Sequence, residues 1–170
     1  MEVRVTKLTD VSLVQKACEY TMHGKKSNMT LDKIYSCMHS PIRCIVFTIE
    51  MIDIYSFVST HFVRHSQGVT HFVTSNRDDR GGDTEANRYT LVNHLMFINA
   101  EALINMARKR LCGSAHIEAQ KLMLLIRDEV SKVDTWLPDF MVAECEFRNG
   151  KCPELKCCNR NKKFFKKMES

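Results

Sequence analysis

Arg64-His65-Ser66-Gln67-Gly68-Val69-Thr70-His71-Phe72-Val73-Thr74-Ser75-Asn76-Arg77 is the stretch on which the reading of this chain turns. Its middle alternates, with Val69, His71 and Val73 on one face and Thr70, Phe72 and Thr74 on the other, which predicts a strand over 69–75. Residues 53–65, with Tyr55, Val58, Phe62 and Val63 clustered, read as a helix leading in. Residues 76–87 are polar and Gly-rich and read as a loop leading out. Two arginines, a hydroxyl and an amide thus stand at element ends. Guanidinium forks make bidentate, charge-assisted bonds, so this set suits a cradle for phosphate or carboxylate. An arginine does not act as a base, and no Ser-His-Asp, Cys-His or paired-carboxylate arrangement stands beside it. Such a site binds and positions, and leaves the difficult chemistry to a cofactor. The plainer alternative is that Arg64, Arg77 and Arg80 only pair with Asp78, Asp79, Asp83 and Glu85 at the surface.

Working outward, residues 3–5 alternate as a short strand. Residues 10–22 read as a helix capped by Thr9 or Asp10, with Val11, Val14, Ala17 and Cys18 on one face. A second helix over 30–38 turns Leu31, Ile34 and Tyr35 inward. Pro41 breaks the chain, and the β-branched run 42–51 reads as a strand. Residues 89–98 predict another strand, 99–110 a helix, and Ser114 a cap for a long helix to about residue 133 with Ala115, Ala119, Leu122 and Ile126 inside. From Trp136 the chain reads as irregular. The order is α+β, a mixed sheet flanked by helices, because the strands are too scattered for a doubly wound sheet. The expected division is 1–140 as the binding domain and 141–170 as a Cys-rich, Lys-rich segment.

At 170 residues and 44% apolar, the chain suffices for one hydrophobic core. Much of the net charge of +5 lies in Lys162, Lys163, Lys166 and Lys167. These read as a solvated terminus and not as a nucleic-acid arm. Arg64, Arg77, Arg80, Arg88, Arg108 and Arg110 instead fall in one stretch, which suits an anionic ligand. The start, 1–8, has no apolar leader core, and no run approaches 18 apolar residues. Eight cysteines without a secretion signal point to a reducing compartment, here the cytoplasm, with free thiols or metal ligands. Cys145, Cys152, Cys157 and Cys158 crowd around the turn at Asn149-Gly150 and suggest a thiolate metal site, most simply zinc. Free surface or packing thiols are the alternative. Cys18, Cys37, Cys44 and Cys112 sit in apolar contexts and read as core.

Residues 64–77 resemble the signature of the flavin-dependent thymidylate synthases, which opens Arg-His-Arg and closes Ser-x-Arg. This chain keeps Arg64-His65 and Ser75-Asn76-Arg77. Ser66 replaces the third signature residue, the spacing to the closing Ser is one longer, and His71 or Phe72 stands near the family's Asn. A second stretch is similar too. The family's Asn-Ala-Arg helix start, its second Asn, its Arg eleven on and its Ala-Gln-x-Glu turn correspond to Asn99-Ala100-Glu101, Asn105, Arg110 and Ala115-His116-Ile117-Glu118. Asn99 also reads as a plain N-cap, and Arg108, Lys109 and Arg110 as charges suited to a helix C-terminus. A third echo is His39-Ser40-Pro41 before the strand, like the family's His-x-x-Pro turn. A solvent-facing turn histidine is the alternative there. His61 stands where the family often has Gln.

The resemblance implies a homotetramer with sites shared between chains. It implies FAD as cofactor, NADPH as reductant, methylenetetrahydrofolate as one-carbon donor and dUMP as the pyrimidine deoxynucleotide methylated at C5. By the same resemblance His39, Arg64, His65, Asn99 and Asn105 contact the flavin. His61, Arg64, Ser75, Arg77 and Arg110 contact the nucleotide, Arg64 that of a neighbouring subunit, and Arg110 polarises the pyrimidine as the catalytic residue. The family's long helical insertion is replaced here by 78–98. The arginine it carries is missing, with Arg80 or Arg88 as substitutes. A different pyrimidine nucleotide or one-carbon unit is the first alternative. A non-catalytic nucleic-acid- or protein-binding module with a zinc knuckle is the second.

Overall fold

The computed structural model describes residues 1–159. The lysine-rich end, with Lys162, Lys163, Lys166 and Lys167, lies outside the described residues. Strand β2 (Val46–Tyr55) is the centre of the sheet. It pairs antiparallel with β1 (Glu2–Lys7) on one side and with β4 (Leu91–Asn99) on the other, and β4 pairs antiparallel with β3 (Val69–Val73). The spatial order is β1-β2-β4-β3. Alternation does what the sequence predicts. Phe47, Ile49 and Met51 of β2 and Val92, Met96 and Ile98 of β4 are buried on one face. The helices close over that face with apolar stripes: Val14 and Cys18 of α1 (Val11–Thr21), Ile34 and Tyr35 of α2 (Leu31–Cys37), Val58 and Phe62 of α3 (Ser56–Val63), Leu103, Ile104 and Ala107 of α4 (Ala100–Arg110), and Leu122 and Ile126 of α5 (Ile117–Val130). The other face carries Glu50 beside Leu95 beside Phe72, and Thr48 beside Phe97 beside Thr70. Phe72 is 55% exposed and packs edge-on against Phe97.

The larger departures from expectation are four. The second strand begins at Val46 because Pro41 opens a 3₁₀ turn over Ser40–Cys44. It then runs on to Tyr55, where a helix was expected from residue 53. Asp53 sits at φ +54 where the register shifts between Met51 and Ile54, and its N–H donates to Asn93 Oδ1 at 3.1 Å. Such a bulge absorbs one residue and lets the strand continue, and Asp tolerates the left-handed region. The long helix starts at Ile117, and its cap is His116 and not Ser114, with Nδ1 accepting from the Glu118 N–H at 3.2 Å. Past Trp136, two short helices appear, α6 (Leu137–Phe140) and α7 (Glu144–Phe147). Met141, Ala143 and Cys145 join the core.

One buried carboxylate ties distant segments together. Asp134 accepts from Lys7 Nζ at 2.6 Å, Tyr35 Oη at 2.7 Å, and the N–H groups of Trp136 and Leu137 at 3.1 and 3.0 Å. Burial pushes its pKa up, but these donors outweigh burial and hold it below the usual carboxylate value. Among the described residues no helix is long and apolar enough to cross a membrane.

Candidate functional site

The Arg64-His65 end of the quoted stretch lies along α4 and touches it twice. Gly68 has φ +72, and a Cβ there would stand 2.5 Å from Asn99 Nδ2. The Asn99 side chain is not free to retreat, because its Oδ1 caps α4 by accepting from the Ala102 N–H at 2.9 Å. The Asn99 N–H in turn donates to the Gly68 carbonyl at 3.0 Å. Glycine is required here on both counts. At the other end of α4, the Arg110 Nε–H donates to His65 Nε2 at 3.0 Å. His65 is therefore an acceptor at Nε2 and carries its proton at Nδ1, a tautomer assigned from its partner. Burial and the Arg110 charge push its pKa down to about 4, so it is a neutral ligand to the guanidinium at neutral pH.

Behind His65 runs a histidine chain that sequence reasoning missed. His71 Nε2 lies 2.7 Å from the His65 carbonyl, His71 Nδ1 lies 2.9 Å from His94 Nε2, and His94 Nδ1 lies 3.0 Å from Ser59 Oγ. A carbonyl only accepts, so His71 Nε2 carries a proton and donates. With His71 neutral, His94 Nε2–H donates to His71 Nδ1, and the Ser59 hydroxyl donates to His94 Nδ1. His94 is 1% exposed. Burial, and then His71, push its pKa down to about 4. The signal in the sequence was a histidine on the apolar face of each strand, His71 between Val69 and Val73 and His94 between Val92 and Met96.

Around Arg110 the structure gathers cations and rings. His61 is pushed down by burial and then by Arg110, Arg64, His116 and Arg88, so all four reach it electrostatically. Phe57 stands 4.9 Å from the His116 ring, and the Arg88 guanidinium lies 4.9 Å over Phe57. Asn99 and Asn105 line a cleft of about 320 Å³ with Arg43, Gln67, Gly68 and Glu101, near the lower end of small-molecule site volumes.

The structure thus brings together His61, Arg64, His65 and Arg110, and separately Asn99 and Asn105. It does not bring Ser75 and Arg77 to them. Between the two ends of the motif runs β3, Val69–Val73, whose four steps span roughly 14 Å at roughly 3.4 Å per residue. Arg64 and the pair Ser75 and Arg77 thus lie beyond opposite ends of β3. Arg77 makes a bidentate pair with Asp79 at 2.8 and 2.6 Å, as the plainer reading had it. Ser75 Oγ accepts from the Arg77 N–H at 3.3 Å. His39 is exposed at the start of the 3₁₀ turn. Among the described residues no group of three or more His, Cys, Asp or Glu side chains could hold a metal ion, so the metal site expected of Cys145, Cys152, Cys157 and Cys158 does not appear. Cys145, Cys152, Cys157 and Cys158 nonetheless line one small pocket, and Cys112, expected in the core, is half-buried in its wall.

No family model matches the sequence, and no curated protein matches it. Solved structures do match. Thymidylate Synthase X (ThyX) from Helicobacter pylori with FAD and dUMP is similar with a TM-score of 0.63 and 15% identity, over 83% of this chain and 99% of that one. The flavin dependent thymidylate synthase ThyX from the same organism, complexed with FAD and dUMP, is similar with a TM-score of 0.65 and 14% identity, over 84% of this chain and 100% of that one. At such identity the likeness is one of architecture: this α+β chain has the fold of the flavin-dependent thymidylate synthases.

Proposed function

We propose that this chain is a flavin-dependent enzyme that transfers a one-carbon unit from methylenetetrahydrofolate to C5 of a pyrimidine deoxynucleotide, dUMP to dTMP in the first instance, with NADPH as reductant. The observation that carries this reading is the 3.0 Å bond from Arg110 to His65. It ties two separated sequence motifs into one cationic site, on the fold of synthases described with FAD and dUMP. The residues present fit the cofactor. A cleft lined by Asn99, Asn105 and Gln67 offers amides for a flavin ring. Gly68 lets the backbone pack directly against the Asn99 amide that lines the cleft, and Arg64 supplies charge for phosphates.

Bound FAD would supply hydride transfer. This chain's own residues bind and orient. His39, Arg64, His65, Asn99 and Asn105 are assigned to the flavin. Ser75 and Arg77 are assigned to the nucleotide phosphate, with Arg77 exchanging Asp79 for it. His61, Arg64 and Arg110 are assigned to the nucleotide, with Arg110 at the pyrimidine, where it stabilises the charge that develops on the ring. Neutral His65 fixes the Arg110 guanidinium without adding a second positive charge. Arg88, held over Phe57 and Tyr89, stands in for the arginine of the family's longer connection.

As the resemblance implies, a complete site takes Arg64 from a neighbouring chain, and the strand β3 between Arg64 and Arg77 is consistent with that division. The exposed face with Phe72 and Phe97 supports an assembly of several chains, in the family a homotetramer. Ser66 in place of the signature Arg, and the short 78–98 connection, favour a second reading: the same chemistry on a different pyrimidine nucleotide or one-carbon unit.

The purified protein is expected to be yellow, or to become so with added FAD. NADPH oxidation should depend on a pyrimidine nucleotide, and dUMP, dCMP and their ribo forms compared side by side identify the base. Arg110→Ala is expected to cost about 10²- to 10³-fold in nucleotide-dependent flavin reoxidation. Protein that stays colourless and takes up no FAD overturns the reading.

A further inference from the structure

Two histidines stand where the strand pattern calls for apolar side chains. His71 lies between Val69 and Val73 on β3, and His94 between Val92 and Met96 on β4. A leucine at either position would add buried apolar surface. A buried imidazole instead demands partners for both of its ring nitrogens. Those demands are met, and all in one direction. Ser59 Oγ lies 3.0 Å from His94 Nδ1, His94 Nε2 lies 2.9 Å from His71 Nδ1, and His71 Nε2 lies 2.7 Å from the His65 carbonyl. That carbonyl only accepts, which fixes every proton upstream while both rings are neutral. Aligned bonds of this kind polarise one another, so each strengthens the next.

The chain of bonds starts and ends at the same helix. Ser59 is buried in α3. His65 follows the end of α3, its own N–H donating to the Phe62 carbonyl at 2.9 Å. Between them the path crosses β4 and β3. It therefore closes a ring that pins the corner 64–68, which carries Arg64 and His65, to the sheet. The corner leads into β3, an edge strand held by β4 alone among the described residues. Its far end is already fixed where Gly68 meets Asn99. His65 in turn presents Nε2 to the Arg110 Nε–H at 3.0 Å. The chain of bonds ends on the His65 carbonyl and not on its ring, so it delivers no proton to the site. What it transmits is position.

We propose that Ser59, His94 and His71 are positioning residues of the cationic site: they fix the His65 corner, and through the His65 ring they aim the Arg110 guanidinium at its anionic ligand. This role rests on the reading of Arg110 as a nucleotide-binding group. A guanidinium on a long side chain has many rotamers, and holding one of them beforehand lowers the entropy lost on binding. Arg64 is steadied too, because its backbone belongs to the pinned corner. Apolar side chains at 59, 71 and 94 together would serve the core as well, since they remove donors and acceptors in pairs. They would leave the corner free to move.

The test uses the full chain with isotope-labelled arginine and histidine, studied by NMR. Nitrogen–nitrogen couplings across the two N–H···N bonds, Arg110 to His65 and His94 to His71, report each bond directly, and both are expected in the wild type. In His71→Leu the Arg110–His65 coupling should weaken, and exchange of the Arg110 Nε–H with solvent should quicken about tenfold. His71→Gln places an amide donor where Nε2 stood and should restore slow exchange. In the triple variant Ser59→Ala, His71→Leu, His94→Leu, urea unfolding should show stability equal to the wild type or higher. Exchange at Arg110 should stay fast in it, and its Kd for dUMP should rise about tenfold. That split separates positioning from a purely structural role. An Arg110 coupling and exchange rate unchanged in both His71→Leu and the triple variant overturn the proposal. Wild-type protein that shows both couplings and binds no dUMP sinks the nucleotide reading instead, since the exchange readout needs neither ligand nor flavin.

Discussion

His94 is a neutral histidine in the apolar face of a strand, and its partners explain why it is tolerated there. Both ring nitrogens are satisfied, by Ser59 and His71, and burial then opposes protonation. The folded state holds this group at about 4, whereas an unfolded histidine titrates near 6.5. The unfolded chain therefore binds more protons as pH drops. The stabilisation is fully present above pH about 6.5 and is lost progressively as pH falls towards 4. By pH 5 the loss amounts to about 2 kcal/mol. Urea unfolding at pH 7 and pH 5 should show that loss in the wild type, and His94→Gln should show it reduced by about that amount. An unchanged pH slope in the variant removes His94 as its cause. His65 follows the same sign, but its proton uptake also competes with Arg110, so acid should loosen the site before it unfolds the chain.

At the scale of elements, β4 runs into α4 without a loop, and Asn99 is the joint. It is the last residue of the strand and the cap of the helix. Asn99→Ala should lower stability by about 1 kcal/mol through the lost cap. Gly68→Ala should cost more than Asn99→Ala, because it imposes a strained φ and drives the Asn99 amide out of its bond as well. In Gly68→Ala with Asn99→Ala the collision is relieved, so thermal denaturation should show the double variant more stable than the sum of the two losses. Strict additivity counts against the contact. The sequence showed the helix start at Asn99 and the strand at Val69, because capping and period-2 alternation are local. The Gly68–Asn99 contact joins residues thirty-one positions apart, and no local pattern encodes it. The same holds for the bulge at Asp53, which only its partner Asn93 on β4 makes intelligible.

For the whole molecule, Asp134 is the pin. It joins the start of the chain at Lys7, the second helix at Tyr35, and the turn after α5. Asp134→Ala should cost about 3–5 kcal/mol by leaving Lys7 and Tyr35 without their acceptor. Chemical denaturation measures it, and a loss below about 1 kcal/mol would mean that the pin carries little. The sequence alone determined the α+β class, the strand and helix faces, the Asn99 cap, and the motif spacing that singled out Arg64, His65, Asn105 and Arg110. The first three follow from periodicity or residue chemistry over a few neighbouring positions, and the last from the resemblance to the family's motifs. Tertiary structure alone decided which of those residues meet. It set Arg110 on His65, lined His71 and His94 behind it, and drew Cys112 to the C-terminal cysteines. A strand fixes the distance between its ends by its rise, and chain folding fixes every contact across sequence. His65 and Arg110, forty-five positions apart, became partners for that reason, and cysteines read as unrelated became neighbours.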